Sequence, residues 1–110
     1  MTAEHCIELV DTLVPNAVPI TLKHRWLSEL EGHILVSIQH HDPEALSITG
    51  ETDEDIPLSL PFPFDRVYWM YLASMVDFFN GDISRYEETA TLADNALEDY
   101  AKWCKRERRY

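Results

Sequence analysis

Glycine is scarce in this 110-residue chain, present only at Gly32, Gly50 and Gly81. That scarcity excludes the phosphate-cradling loops G-x-x-x-x-G-K-[ST] and G-x-G-x-x-G, and G-x-S-x-G is missing too. Cysteine is scarcer still. Cys6 and Cys104 cannot build a disulfide framework, so a reducing compartment is expected. No apolar run approaches the roughly 18–20 residues that span a bilayer, so no membrane partner is expected. The opening MTAEHCIELVD lacks the basic region and apolar core of a signal peptide. Bases are few as well: nine Lys and Arg face twenty Asp and Glu, for a formal charge of −11. Binding nucleic acid by counterion release needs clustered cations, so neither a general phosphate-binding face nor sequence-specific nucleic acid is expected.

What is present suffices for one small core. Apolar residues make up 45% of the chain and aromatics 11%, enough for a packed interior in a single domain, 1–110. The charge is uneven. Residues 1–101 hold 19 acids and four bases, while 102–110 hold five bases and one acid.

Six prolines divide the chain, since proline cannot continue a helix interior. Residues 3–14 place Cys6, Ile7, Val10, Leu13 and Val14 at helical spacing, and Pro15-Asn16 ends the run. Thr21 is a natural cap for a second helix over 21–39, where Leu22, Trp26, Leu30, Ile34 and Ile38 step by four. Gly32 falls within that helix at a cost of about 1 kcal/mol against alanine, for which a close helix contact is one reason. A third helix, 64–80, carries a wide stripe from Phe64 and Val67 through Tyr71 and Met75 to Phe79. Asn80-Gly81 stops it and Asp82 caps a fourth, 82–108. There Ile83, Tyr86, Ala90, Ala93, Leu97, Tyr100 and Cys104 alternate steps of three and four, predicting a buried seam. Lys105, Arg106, Arg108 and Arg109 complement the negative end of that helix. The reading is all-α: a small four-helix, bundle-like domain.

Residues 40–63 break the helical pattern. LSIT and LSL give room for a short β-hairpin, with Glu51, Asp53, Glu54 and Asp55 between them. A loop this long is uncommon in a compact domain, and a partner that orders it is one explanation. Residues 42–60 are therefore expected to be poorly ordered alone and to form an assembly surface.

Candidate chemistry is thin. Adjacent His40 and His41 point about 100° apart on a helix and do not share an ion unaided. His24 and His33 are not spaced three or four apart. Cys6 and Cys104 each sit on an apolar stripe and read as buried free thiols. Trp69, Tyr71 and Trp103 read first as core, with interface anchoring as the second option. Helical nucleotide pyrophosphohydrolases hold Mg²⁺ on a Glu-Glu-x-x-Glu run; here Glu87-Glu88 is followed by Thr91, so that run is broken. No cofactor, metal site or catalytic residue is expected.

Residues 61–86, PFPFDRVYWMYLASMVDFFNGDISRY, resemble a family of tailed-bacteriophage and prophage head–tail connector (adaptor) proteins. The elements that carry the resemblance are Pro63-Phe64-Asp65, Tyr71-Leu72, Val76-Asp77, Asn80-Gly81-Asp82-Ile83 and Arg85-Tyr86. Arg25-Trp26-Leu27-Ser28-Glu29-Leu30-Glu31-Gly32, Asn16 after Pro15, and Tyr100-Ala101-Lys102-Trp103 extend it over most of the chain. Relatives often have Asn where Glu87 stands and Tyr where Cys104 stands.

The resemblance implies a non-enzymatic virion protein, made in the bacterial cytoplasm and assembled as a ring between portal and tail. Its partners would be further copies of itself, the portal and tail-side proteins. The charge pattern adds a candidate assembly surface: Glu51, Asp53, Glu54 and Asp55 of one subunit against Lys105, Arg106, Arg108 and Arg109 of the next, or against a basic patch on the portal. Two other readings stand beside it. One is an acidic binding module that mimics DNA or sequesters a basic protein. The other is a metal-dependent all-α nucleotide phosphohydrolase.

Overall fold

Asn80-Gly81-Asp82 reverses the chain by local chemistry. Gly81 takes φ +77°, a region where a Cβ is penalised. Asp82 accepts a hydrogen bond from the Arg85 N–H at 3.2 Å and so caps the helix that follows. The turn joins α3 (Arg66–Phe79) to α4 (Ile83–Arg106) as an antiparallel hairpin, and α1 (Ala3–Leu13) and α2 (Ile20–Ser37) precede it. The computed structural model describes residues 1–46 and 55–110. Within these the domain is all-α, with four α-helices, a short 3-10 turn at Pro43–Ala45 and no β-strand.

α3 is the central element, packed against α1, α2 and α4. Its Val67, Tyr68, Leu72, Ala73 and Val76 are buried. At about 1.5 Å per residue, the 24 residues of α4 outrun the 14 of α3 by several turns. Ring contacts give the register. Phe78 meets Tyr86 near the turn, with centroids 5.3 Å apart. At the far end Phe64 meets Tyr100 at 5.4 Å and Trp103 at 5.0 Å. Cys6 and Cys104 are free and buried in the same apolar cluster. Burial first, and the Asp65 charge second, push the Cys6 thiol up to about 12, so it is a poor nucleophile at neutral pH.

The structure corrects several expectations. Thr21 does not cap α2; the helix begins at Ile20 with Pro19 at the cap position and no side-chain cap bond. Of the predicted row on α2, Leu30 and Ile34 are buried while Leu22, Trp26 and Ile38 are half-buried, and the inward face is shifted to take in Lys23, His24, Leu27, Ser28 and Glu31, all buried. Two polar anchors hold it there: Lys23 Nζ lies 2.7 Å from Asp11 on α1, and Glu31 accepts three interior hydrogen bonds. A Cβ on Gly32 would meet nothing within 4 Å, so no close helix contact accounts for that glycine. Leu13, Phe79 and Ile83, predicted as core, are exposed. On α4 the fully buried positions are Ala93, Ala96, Tyr100 and Cys104, while Tyr86, Ala90 and Leu97 are half-buried. The seam thus closes only in the second half of the helix.

The segment after the gap is also corrected. Ile56, Leu58 and Leu60 are buried, with Pro57 and Ser59 exposed between them. This alternation suits an extended segment laid on the core. Its partner is the N-terminus: Ala3 N–H donates to Ile56 O at 3.0 Å, and Leu58 N–H to Met1 O at 3.1 Å. A single antiparallel bridge, Thr2 to Pro57, results. Residues 55–60 are therefore part of the domain, against the expectation that 42–60 as a whole lacks order. The other half of the proposed hairpin, 47–49, and Gly50 lie outside the described residues.

Candidate assembly surface

Large apolar side chains are left uncovered at several places, Phe62 most of all and Ile20 and Tyr110 among them, and a further group lies near the hairpin turn. Phe78, Phe79, Ile83 and Leu92 are each about half exposed or more, at 56%, 49%, 54% and 53%. They occupy the last turn of α3 and the first three turns of α4. Leu13, at the end of α1, is 54% exposed. Asn80 Nδ2 donates to Pro15 O at 3.1 Å, which ties the end of α1 to the hairpin turn. This group thus gathers where helix ends are bonded together.

A buried carboxylate fixes this end. Asp77 is 1% exposed and accepts from Thr89 Oγ1 at 3.1 Å. Arg85 Nε lies 3.8 Å from its other oxygen. Its backbone carbonyl takes the Asp82 N–H at 3.0 Å. With both strands of the turn bonded to one residue, the aromatic end is held in place rather than folded inward. Acidic Glu87 and Glu88 flank Leu92 on the outer side of α4, exposed to solvent.

A groove runs from this end along α3. A hollow of about 130 Å³ includes Tyr71, Tyr86 and Asp94. It shares Tyr71, Ala93 and Asp94 with a cavity of about 250 Å³ that reaches Glu29 and His33 on α2. Burial, then the Glu29 charge, then Tyr86, raise the Tyr71 phenol above its ordinary value. Tyr71 is therefore a neutral donor there at physiological pH.

The sequence-predicted site residues divide. Glu51, Asp53 and Glu54 lie outside the described residues. Asp55 accepts the Glu4 N–H at 2.9 Å and so supports the first turn of α1 alongside Thr2, which accepts from His5 N–H at 3.3 Å. At the other terminus Arg106 pairs with Glu107 at 3.8 Å. Lys105, Arg108 and Arg109 line a cavity of about 370 Å³ between the ends of α2 and α4. Among the described residues no ion pair within the chain joins Asp55 to these bases. Trp69, Tyr71 and Trp103 are half-buried and packed on the core. Asp42 caps the 3-10 turn through the Glu44 N–H at 3.0 Å, and no group of three His, Cys, Asp or Glu among the described residues is placed to hold a metal.

The uncovered aromatic end was not predicted. Its one signal was the pair Phe78-Phe79 beside Ile83: neighbours on a helix point about 100° apart, so both rings cannot face one core. No family model, curated protein or solved structure matches the chain.

Proposed function

We propose that this chain is a non-enzymatic assembly protein of the head–tail connector type, oligomeric and positioned between portal and tail in a phage or prophage particle. One observation carries the proposal: a bonded helix-hairpin end that leaves Phe78, Phe79 and Ile83 exposed. An apolar patch of this kind, rimmed by Glu87 and Glu88, suits contact with another protein. The resemblance over residues 61–86 supplies the context, and a strongly acidic protomer would not retain DNA passing through its ring. No described helix is long and apolar enough to cross a membrane.

The experiment is light scattering of the purified chain alone and mixed with a phage portal protein. A ring-sized complex is expected, lost in Phe79→Ser with Ile83→Ser while helicity is kept. A chain that stays monomeric and ignores the portal would sink the proposal. The second contact in this reading joins residues 51–55 to Lys105, Arg106, Arg108 and Arg109 of a neighbour. It should weaken as salt cuts the screening length to about 3 Å at 1 M. Deleting 51–55 should then reduce assembly.

The charge of residues 1–101 also favours a second reading, an acidic module competing with DNA for a basic protein. That reading requires a monomer or dimer displaced by DNA. A metal-dependent phosphohydrolase would instead turn over a nucleoside triphosphate with Mg²⁺.

A further inference from the structure

Acids outnumber lysine and arginine by more than two to one, so a cation without a carboxylate partner is the exception. Six of the nine bases are paired. Lys23, Arg25, Arg66, Arg85, Lys102 and Arg106 each lie within 4.0 Å of an Asp or Glu oxygen. Lys105, Arg108 and Arg109 make no ion pair among the described residues. All three line one cavity, about 370 Å³, with Ser37, His40 and Tyr110.

The backbone marks the same place. Three non-glycine residues among those described have positive φ: His40 at 57°, Arg108 at 55° and Tyr110 at 58°. Every one of them lines this cavity. At His40 and Arg108 this is how the two helices stop: His41 N–H bonds back to Leu35 O and Arg109 N–H to Cys104 O, each at 2.8 Å, which brings both helix ends to the cavity. Arg109 is further fixed by its guanidinium lying 4.8 Å over the Trp103 ring. Stacking uses the face of the guanidinium and leaves its in-plane N–H groups to bond.

Charge bookkeeping gives the sign and the size of the ligand. The C-terminal ends of α2 and α4 each contribute about half a negative charge, which three full cations exceed. The rest of the chain is strongly negative, and charges act over about 8 Å at physiological salt. An extended polyanion would reach beyond the cations and meet repulsion. A compact anion held inside one screening length would not. Three cations on one hollow match two or more charges on one centre, and a fork of N–H donors beside an ammonium suits phosphate oxygens better than a lone carboxylate.

We propose that the cavity between the ends of α2 and α4 binds a compact phosphate-bearing anion through Lys105, Arg108 and Arg109. This site is separate from the exposed hairpin end, but it uses the bases that the connector reading offers to residues 51–55 of a neighbour, so the two are alternatives at this cavity. Calorimetric titration at low salt with pyrophosphate and with inorganic phosphate tests it, with Trp103 fluorescence as a second readout. Saturable one-site binding is expected, tighter for pyrophosphate and weaker as salt rises. Lys105→Gln and Arg108→Gln should each weaken it by about tenfold, with helicity unchanged. Lys102→Gln, whose partner is Glu98, should leave it intact. Absence of saturable binding, or binding that survives both cavity substitutions, overturns the site. A short DNA duplex binding more tightly than pyrophosphate overturns the compact ligand. If the full chain takes no pyrophosphate while the double variant changes its oligomeric mass, the cations serve a neighbour's carboxylates and the proposal is wrong.

Discussion

Tyr68 donates its hydroxyl proton to Glu31 at 2.8 Å across 37 residues of sequence, and both side chains are buried to within 1%. The same carboxylate accepts the Ser59 N–H at 2.7 Å and the Ser59 hydroxyl at 3.0 Å. Leu60 N–H donates to the Tyr68 oxygen at 3.0 Å. Gln39 extends the network by donating to Ser59 Oγ at 3.3 Å and to Tyr100 Oη at 3.1 Å. One acid on α2 therefore binds α3 and the 55–60 segment, with a relay to α4.

Removing that acid strands its donors. Glu31→Ala is expected to cost about 3–5 kcal/mol, because Ser59 and Tyr68 keep buried groups with nothing to bond. Tyr68→Phe removes one donor of three and should cost about 1–3 kcal/mol. Urea denaturation of both single variants and the double variant measures the coupling, which should be well above zero. Additive losses would show that the two residues act independently.

Gly32→Ala should stabilise the domain by about 0.5–1 kcal/mol. The added methyl meets nothing within 4 Å, and alanine gives up less backbone freedom in a helix. A raised urea midpoint checks this; a lowered one would mean that α2 needs the glycine for a contact not visible within the chain.

Leu97 is half-buried at the edge of the groove, whereas Leu72 is fully enclosed. Leu97→Ala should therefore cost about 1–2 kcal/mol and Leu72→Ala about 2–5 kcal/mol, since only the enclosed site leaves a cavity behind. Thermal melts of the pair give the order. Equal losses would place the α4 seam deeper than described.

Alkaline pH should destabilise the protein progressively. Burial first, and Asp65 second, raise the Cys6 thiol from 9.0 to about 12. Burial first, and the Glu31 charge second, raise the Tyr68 phenol above 10.0. The folded chain keeps protons that the unfolded chain has already lost. Stability is therefore complete below about pH 9 and falls as pH rises, through Cys6 first and then through Tyr68, Tyr71 and Tyr100, whose phenols burial also raises, at up to about 1.4 kcal/mol per pH unit for each group. Urea midpoints across this range check the slope. Cys6→Ala should flatten its first part, and native Cys6 should resist thiol reagents at neutral pH.

What could be read from the sequence was local. Gly81 and Asp82 act within a few residues of themselves, so the hairpin turn was legible, and so was the stripe on α3. The face of α2 was legible only at Leu30 and Ile34, because the reasons for burying Lys23 and Glu31 lie on other elements: Asp11, Ser59 and Tyr68. Apolar spacing on α4 marked Ile83 and Leu97 alike, but spacing does not show what covers a residue. Tyr100 is enclosed with Phe64 packed against it, whereas Ile83 is left about half exposed. The alternation of Ile56, Leu58 and Leu60 was present in the sequence too, but Pro57 and Pro61 made the stretch read as a loop. Among the candidate site residues, only the clustering of bases at the C-terminal end was visible, and not the cavity that gathers three of them.

The bridge between Thr2 and Pro57 puts a time order on the chain. α1 receives Asp55 and Ile56 as end partners only after more than half of the sequence has been made, whereas α3 and α4 need only the turn between them. Closing the longer loop costs more entropy before any contact repays it. The hairpin is therefore expected to protect its amides first and α1 last, in an order that pulse-labelled hydrogen exchange during refolding would resolve.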